Sequence, residues 1–115
     1  MSEARAALDA RRADAVARLA HLDDVLAGLR RDRGADSADD EHDPEGATLS
    51  SEWSRLEGLR ADAERDVAET DAALGRVEQG TYGVCIDCRR RIPAARLAAR
   101  PDATRCVACA EKAGA

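Results

Sequence analysis

Apolar residues recur at Leu8, Ala15, Leu19, Leu22, Leu26 and Leu29, with Val16 and Val25 beside them. That three-and-four spacing lays them along one stripe of an α-helix, with a charged opposite face. Arg12 interrupts the stripe once. The pattern predicts a helix from Ser2 to about Arg33, a rod of about 45 Å at about 1.5 Å per residue. A second stripe runs through Trp53, Leu56, Ala63, Val67, Thr70, Leu74 and Val77, with Arg60 as its polar break. It predicts a second helix from about residue 48 to Gln79, ended by Gly80 in the position after the C-cap.

Between the two stripes lies RGADSADDEHDPEGATLSS, residues 33–51, which holds Gly34, Pro44 and Gly46 and almost nothing to bury. This segment reads as a helix stop and a turn. Asp43-Pro44 suits an N-cap followed by the first residue of the second helix. Two helices of matching length joined by a polar turn are expected to fold back as an antiparallel coiled coil. An ordinary bundle would need a third helix of comparable length, and the pattern offers none.

After Gly80 the periodicity stops. TYGVC and IDCR form one short knuckle, RIPAARLAARP a short helix between Pro93 and Pro101, and ATRCVACAEKAGA a second knuckle running into a brief C-terminal helix. The expected fold is all-α: an antiparallel coiled-coil hairpin, then a small four-cysteine zinc finger with a short C-terminal helix. The corresponding divisions are 1–79 for the hairpin, with a tip loop at about 34–48, and 80–115 for the finger.

Composition supports an elongated protein. The 115 residues are 44% hydrophobic, but they include no Phe, one Trp and one Tyr, and much of the apolar count is alanine. Each large buried side chain contributes about 1.5–3 kcal/mol, so a thick globular core is excluded. Residues 1–79 carry 11 Arg against 20 Asp and Glu, a formal −9. Residues 80–115 carry 7 Lys and Arg against 3 acids, a formal +4. Four thiolates holding one Zn²⁺ would halve that positive charge, which leaves too weak a patch for a nucleic-acid footprint. Lys112 is the only lysine, so the arginine richness of Arg89, Arg90 and Arg91 also fits a GC-rich coding genome. No apolar run reaches a membrane span, and the N-terminus has no signal-peptide stretch, so a cytoplasmic protein is expected.

In that compartment thiols stay reduced, so paired cysteines point to metal. Cys85 and Cys88 form one C-x₂-C, and Cys106 and Cys109 another, separated by RRRIPAARLAARPDATR. Two such pairs can complete a tetrahedral four-sulfur site for one Zn²⁺, with no coordination position left for water or substrate. A structural ion is therefore expected. A redox C-x₂-C would need a βαβ setting that this chain does not show. A nucleic-acid-binding ribbon would show aromatics for base stacking, and Tyr82 is the only one available.

The turn crowds Asp36, Asp39, Asp40, Glu41, Asp43 and Glu45 together, with His42 among them. One reading is a solvated acidic loop. The other is a rigid coiled coil carrying carboxylates, which are hard oxygen ligands suited to Mg²⁺ and partners for Arg or Lys, into a site on another protein.

The stretch GTYGVCIDCRRRIPAARLAARPDATRCVACAEK resembles the zinc finger of the DksA/TraR family of bacterial RNA polymerase regulators. The match includes the four cysteines, the preceding GTYG, the internal IP and RL-x-ARP, and the closing CVAC. The resemblance implies a non-enzymatic regulator that binds RNA polymerase, core or holoenzyme, without sequence-specific DNA binding. It implies a hairpin in the secondary channel and an acidic tip near the catalytic centre, changing initiation. The family's tip motif, Asp-x-x-Asp-x-Ala, fits partly in two registers: from Asp40, with Asp43 as the second acid and Glu45 in place of Ala, or from Asp43-Pro44, with Gly46 in place of the second acid and Thr48 in place of Ala. Arg89, Arg90 and Arg91 are candidate contacts to the channel rim. Longer members carry extra terminal helical segments that help form a site for ppGpp; here the heptads begin almost at Met1 and six residues follow Cys109, which leaves ppGpp an open question for this chain. A zinc-ribbon nucleic-acid-binding protein and a structural coiled-coil adaptor are the alternatives. Nothing in the chain forms a catalytic set.

Overall fold

The computed structural model describes the backbone of residues 2–36 and 44–114, and the side chains of residues 3–32 and 49–114. Four helices follow in order: α1 (Ser2–Asp36), α2 (Pro44–Gln79), α3 (Ala94–Ala99) and α4 (Val107–Lys112). The described fold is all-α apart from one isolated antiparallel bridge between Val84 and Arg91. α1 runs three residues past the predicted stop at Arg33, through Gly34, to Asp36, and α2 begins at Pro44. One glycine in a helix costs only about 1 kcal/mol, which its neighbours can absorb. Pro44 opens α2 as its fixed φ favours.

The chain divides into two compact units, residues 14–66 and residues 1–13 with 67–115. In the first, Leu22 and Leu26 of α1 pack with Leu56 and Ala63 of α2, and Leu19, Val25, Leu29 and Trp53 close around them. Arg30 lies 5.6 Å from the Trp53 ring centroid in a cation–π contact. Arg18 Nη2 meets Asp66 Oδ2 at 3.0 Å, and Arg60 Nε meets Asp23 Oδ1 at 2.5 Å. The α1 partner advances while the α2 partner retreats, so the helices pair antiparallel.

In the second unit, Leu8 of α1 packs on Ala73 and Val77 of α2, with Leu74 and Tyr82 against them. Arg5 pairs with Glu78 at 3.2 Å and Arg12 with Asp71 at 2.5 Å, again antiparallel. The two polar breaks in the stripes, Arg12 and Arg60, are thus each spanned by an ion pair to the opposite helix. Such exposed pairs add little stability and fade with salt; their effect is to favour this register, because a shift of one turn sets Arg12 and Arg60 opposite uncharged residues.

Two positions depart from the predicted stripes. Val16 is 40% exposed and does not widen the core, because it lies a full 100° around the helix from buried Ala15. Ala73, hidden in the sequence by its small side chain, is fully buried and takes the central place beside Leu8. The core is one layer of side chains thick, so single truncations are costly. Leu56→Ala is expected to destabilise by about 2–5 kcal/mol. Urea titration followed by circular dichroism checks this, and a loss under about 1 kcal/mol would contradict the burial of Leu56.

Candidate metal centre

α2 ends on a left-handed Gly80 (φ 78°). The Thr81 amide donates to the Arg76 carbonyl at 2.9 Å and the Gly80 amide to that of Val77 at 3.3 Å, the paired bonds of a Schellman motif. The chain turns there into the first knuckle. Around Cys85 and Cys88 the backbone closes a tight loop: Cys85 N donates to Arg90 O, Ile92 N to Gly83 O, and Arg89 N to Cys85 O, at 2.8 to 3.0 Å. The loop requires positive φ at Arg89 (65°), the one such non-glycine residue among those described. A left-handed L-residue with a Cβ costs about 1–2 kcal/mol. Arg89→Gly is therefore expected to raise the stability of the zinc-loaded protein by up to about 1 kcal/mol. A fall in thermal midpoint would show that the Arg89 side chain holds the loop by a contact instead.

The second knuckle is built differently. Cys106 is the N-cap of α4 and Cys109 lies in its first turn, with the Ala110 amide donating to the Cys106 carbonyl at 2.9 Å. The Ile86 amide of the first knuckle donates to the Thr104 carbonyl at 3.0 Å, which sets the two pairs side by side. All four Sγ atoms lie within 4.8 Å of one another, and Cys88 and Cys106 Sγ are 3.9 Å apart. A tetrahedral Zn²⁺ with bonds of about 2.3 Å spaces its sulfurs by about 3.8 Å, so the cluster fits one zinc ion with slight contraction. No pair is close enough to be a disulfide, and the cysteines are free.

Burial grades across the cluster. Cys85 is fully buried, Cys106 and Cys109 partly, and Cys88 is exposed. Backbone amides of Cys88 and Cys106 pointing at Cys85 lower its thiol to about 6. Cys109 is pushed up to about 12, because its proton is shared with the sulfurs of Cys106 and Cys85. Cys85 thus favours its thiolate and Cys109 its thiol. A metal cation must displace the remaining protons, so its apparent affinity rises with pH and falls on acidification. Chelator competition between pH 6 and 8 should show this slope, together with proton release on zinc uptake; a flat profile would contradict thiolate ligation.

Of the other residues singled out in the sequence, Arg89, Arg90 and Arg91 are exposed on the first knuckle, and their guanidinium groups have no ion-pair partner among the described residues. Asp40 and Asp43 lie outside the described residues, as do Asp39, Glu41 and His42. Of Asp36 and Glu45 only the backbone is described, in the last turn of α1 and the first of α2. Two further residues support the finger. Tyr82 Oη donates to the Pro101 carbonyl at 2.7 Å while its ring packs on the Leu8 cluster. Burial raises that hydroxyl above its ordinary value, which keeps it protonated and donating. Asp102 is buried, with its carboxylate 3.9 Å from Arg11.

Residues 80–113 match the family model of the prokaryotic DksA/TraR C4-type zinc finger. The match covers the finger alone, 34 of the 115 residues. The four-cysteine cluster is its zinc site. The chain is 45% identical over 65 residues to the RNA polymerase-binding transcription factor DksA of Caulobacter vibrioides, covering 55% of this chain and 46% of that protein. It is 48% identical over 44 residues to a protein of Aquifex aeolicus, 38% of this chain and 30% of that one. The chain thus spans less than half the length of these curated relatives. Among solved structures, transcription factor DksA2 from Pseudomonas aeruginosa matches with a TM-score of 0.81 over 98% of this chain and 81% of its own, at 24% identity. The match supports the fold, a long helical hairpin followed by short C-terminal helices. Among the described residues, no helix is long and apolar enough to cross a membrane.

Proposed function

We propose that this protein binds RNA polymerase directly and regulates transcription initiation, its hairpin entering the secondary channel and the acidic turn between α1 and α2 acting near the active site. The supporting observation is the combination of a DksA/TraR zinc finger with a fold that matches DksA2 over nearly the whole chain. The Caulobacter relative carries the name of an RNA polymerase-binding factor, and the same partner is proposed here. In this reading Asp40, Asp43 and Glu45 carry the regulatory effect. The guanidinium groups of Arg89, Arg90 and Arg91, without ion-pair partners among the described residues, suit acidic residues at the channel rim.

The finger's own geometry counsels against bare nucleic acid as the partner. Its single aromatic, Tyr82, is partly covered by Leu8, Ala73 and Val77 and has its hydroxyl tied to Pro101, so it is a poor platform for a base. Affinity of the zinc-loaded protein for core RNA polymerase at physiological salt, with duplex DNA as control, tests the proposal. Trp53, the only tryptophan, supplies an intrinsic fluorescence signal. Saturable polymerase binding displaced by another secondary-channel protein is expected. Absent binding, or tighter and steeply salt-dependent binding to DNA, would replace this reading with that of a nucleic-acid-binding ribbon.

A further inference from the structure

Between α3 and the ligand Cys106 runs a short strap, residues 100–105, whose carbonyls at Arg100, Pro101, Asp102, Thr104 and Arg105 all accept hydrogen bonds. Tyr82 Oη donates to the Pro101 carbonyl at 2.7 Å, and Arg76 Nη2 of α2 reaches the Asp102 carbonyl at 3.4 Å. The Thr104 carbonyl accepts from the Ile86 amide of the first knuckle. Arg96 Nε donates to the Arg105 carbonyl at 2.7 Å, and Arg105 Nε to Asp87 Oδ2 at 2.6 Å. At the centre of the strap the Asp102 side chain is only 5% exposed. Its Oδ1 accepts no hydrogen bond, and the cation facing it is Arg11 of α1, with Nη2 at 3.9 Å.

A buried carboxylate needs a compensating cation. If the strap served only to connect α3 to Cys106, a small neutral residue would do at this position. Instead, its one buried charge faces a helix that begins the chain, while the residue four places on is a metal ligand. We propose that Asp102 is a bolt that links zinc loading of the finger to the docking of the first turns of α1. Zinc fixes Cys106, Cys106 fixes the strap, and the strap presents Asp102 to Arg11. When zinc leaves, the strap loosens, the Asp102 carboxylate rehydrates, and the α1 segment around Arg11 loses its tie to the strap, while Leu8 and the exposed pairs of Arg5 and Arg12 remain. Linkage is reciprocal, so an undocked α1 start weakens zinc by the same factor.

The test uses the full-length protein in four forms: wild type, Asp102→Asn, Arg11→Gln and the double variant. Zinc affinity is measured by chelator competition, and amide hydrogen exchange is followed with and without zinc. Each single variant should weaken zinc about tenfold, within the usual range of coupling between sites. The double should be no weaker than either single, as expected for two groups acting as one unit. With zinc bound, amides at 5–12 in the variants should exchange as fast as in zinc-free wild type, while those at 56–66 stay protected in all forms. Zinc affinity unchanged within twofold in both singles would overturn the proposal. So would full additivity in the double, or wild-type protection of 5–12 in zinc-loaded Asp102→Asn. If Asp102→Asn fails to take up zinc at all, Arg11→Gln carries both readouts, because Arg11 lies outside the finger.

Discussion

Stripping zinc with a strong chelator is expected to unfold residues 80–114 while the helix pairing around Leu22, Leu26, Leu56 and Ala63 survives. Within the finger only Cys85, Ile92 and Asp102 are buried, and neither α3 nor α4 buries a residue. Helices of six residues have no independent stability in water. What holds the segment is the metal, whose binding in small zinc domains contributes about 10–16 kcal/mol. The hairpin around residues 14–66 has its own apolar layer and cross-helix pairs and needs no ion. Hydrogen exchange should therefore show near-complete loss of protection at 80–114, spreading through Asp102 to 5–12, and little change at 56–66. Cys106→Ser should reproduce the pattern and abolish stoichiometric zinc. A zinc-free finger that kept its protection would mean that backbone bonds such as Cys85 to Arg90 carry the fold unaided.

The dependence of the finger on so few side chains also explains what the sequence could and could not reveal. The helices were legible because leucines at three-and-four spacing can be satisfied together only on a helix, and the two paired cysteines admit one economical use. Arg12 and Arg60 were legible as breaks, but not as ion-pair partners of Asp71 and Asp23, since a long side chain's partner depends on a register fixed elsewhere. Ala73 gave no signal because alanine is as common on exposed faces as on buried ones. Asp102 is the clearest case. An aspartate after Arg-Pro reads as a solvated loop residue, and its burial is set by Arg11 and Arg76, both far away in sequence. Tyr82 was read as a candidate stacking group; its hydrogen bond to Pro101 turns it into a structural support. In each case local pattern fixes the element, while the partners are fixed by packing between elements.

Replacing both tip carboxylates, Asp40→Asn with Asp43→Asn, is expected to leave polymerase affinity within about twofold of wild type and to abolish the effect on initiation. Both changes keep side-chain size and remove only charge, so any loss reports on electrostatics. Affinity in the proposed complex comes from contacts along the hairpin and from the finger. In that proposed complex the carboxylates would act at the polymerase active site, where hard oxygen ligands can engage Mg²⁺ or its protein ligands. Charge close to a metal in a water-poor cleft is felt far more strongly than the same charge on a solvated surface. Two measurements separate the outcomes: binding titration with core polymerase, and open-complex lifetime at a responsive promoter. Unchanged lifetime effects in the double variant would sink the tip assignment while leaving polymerase binding intact. Lost affinity together with lost regulation would show that the turn anchors the complex instead of acting within it, and would shift the site of action toward the finger and Arg89, Arg90 and Arg91.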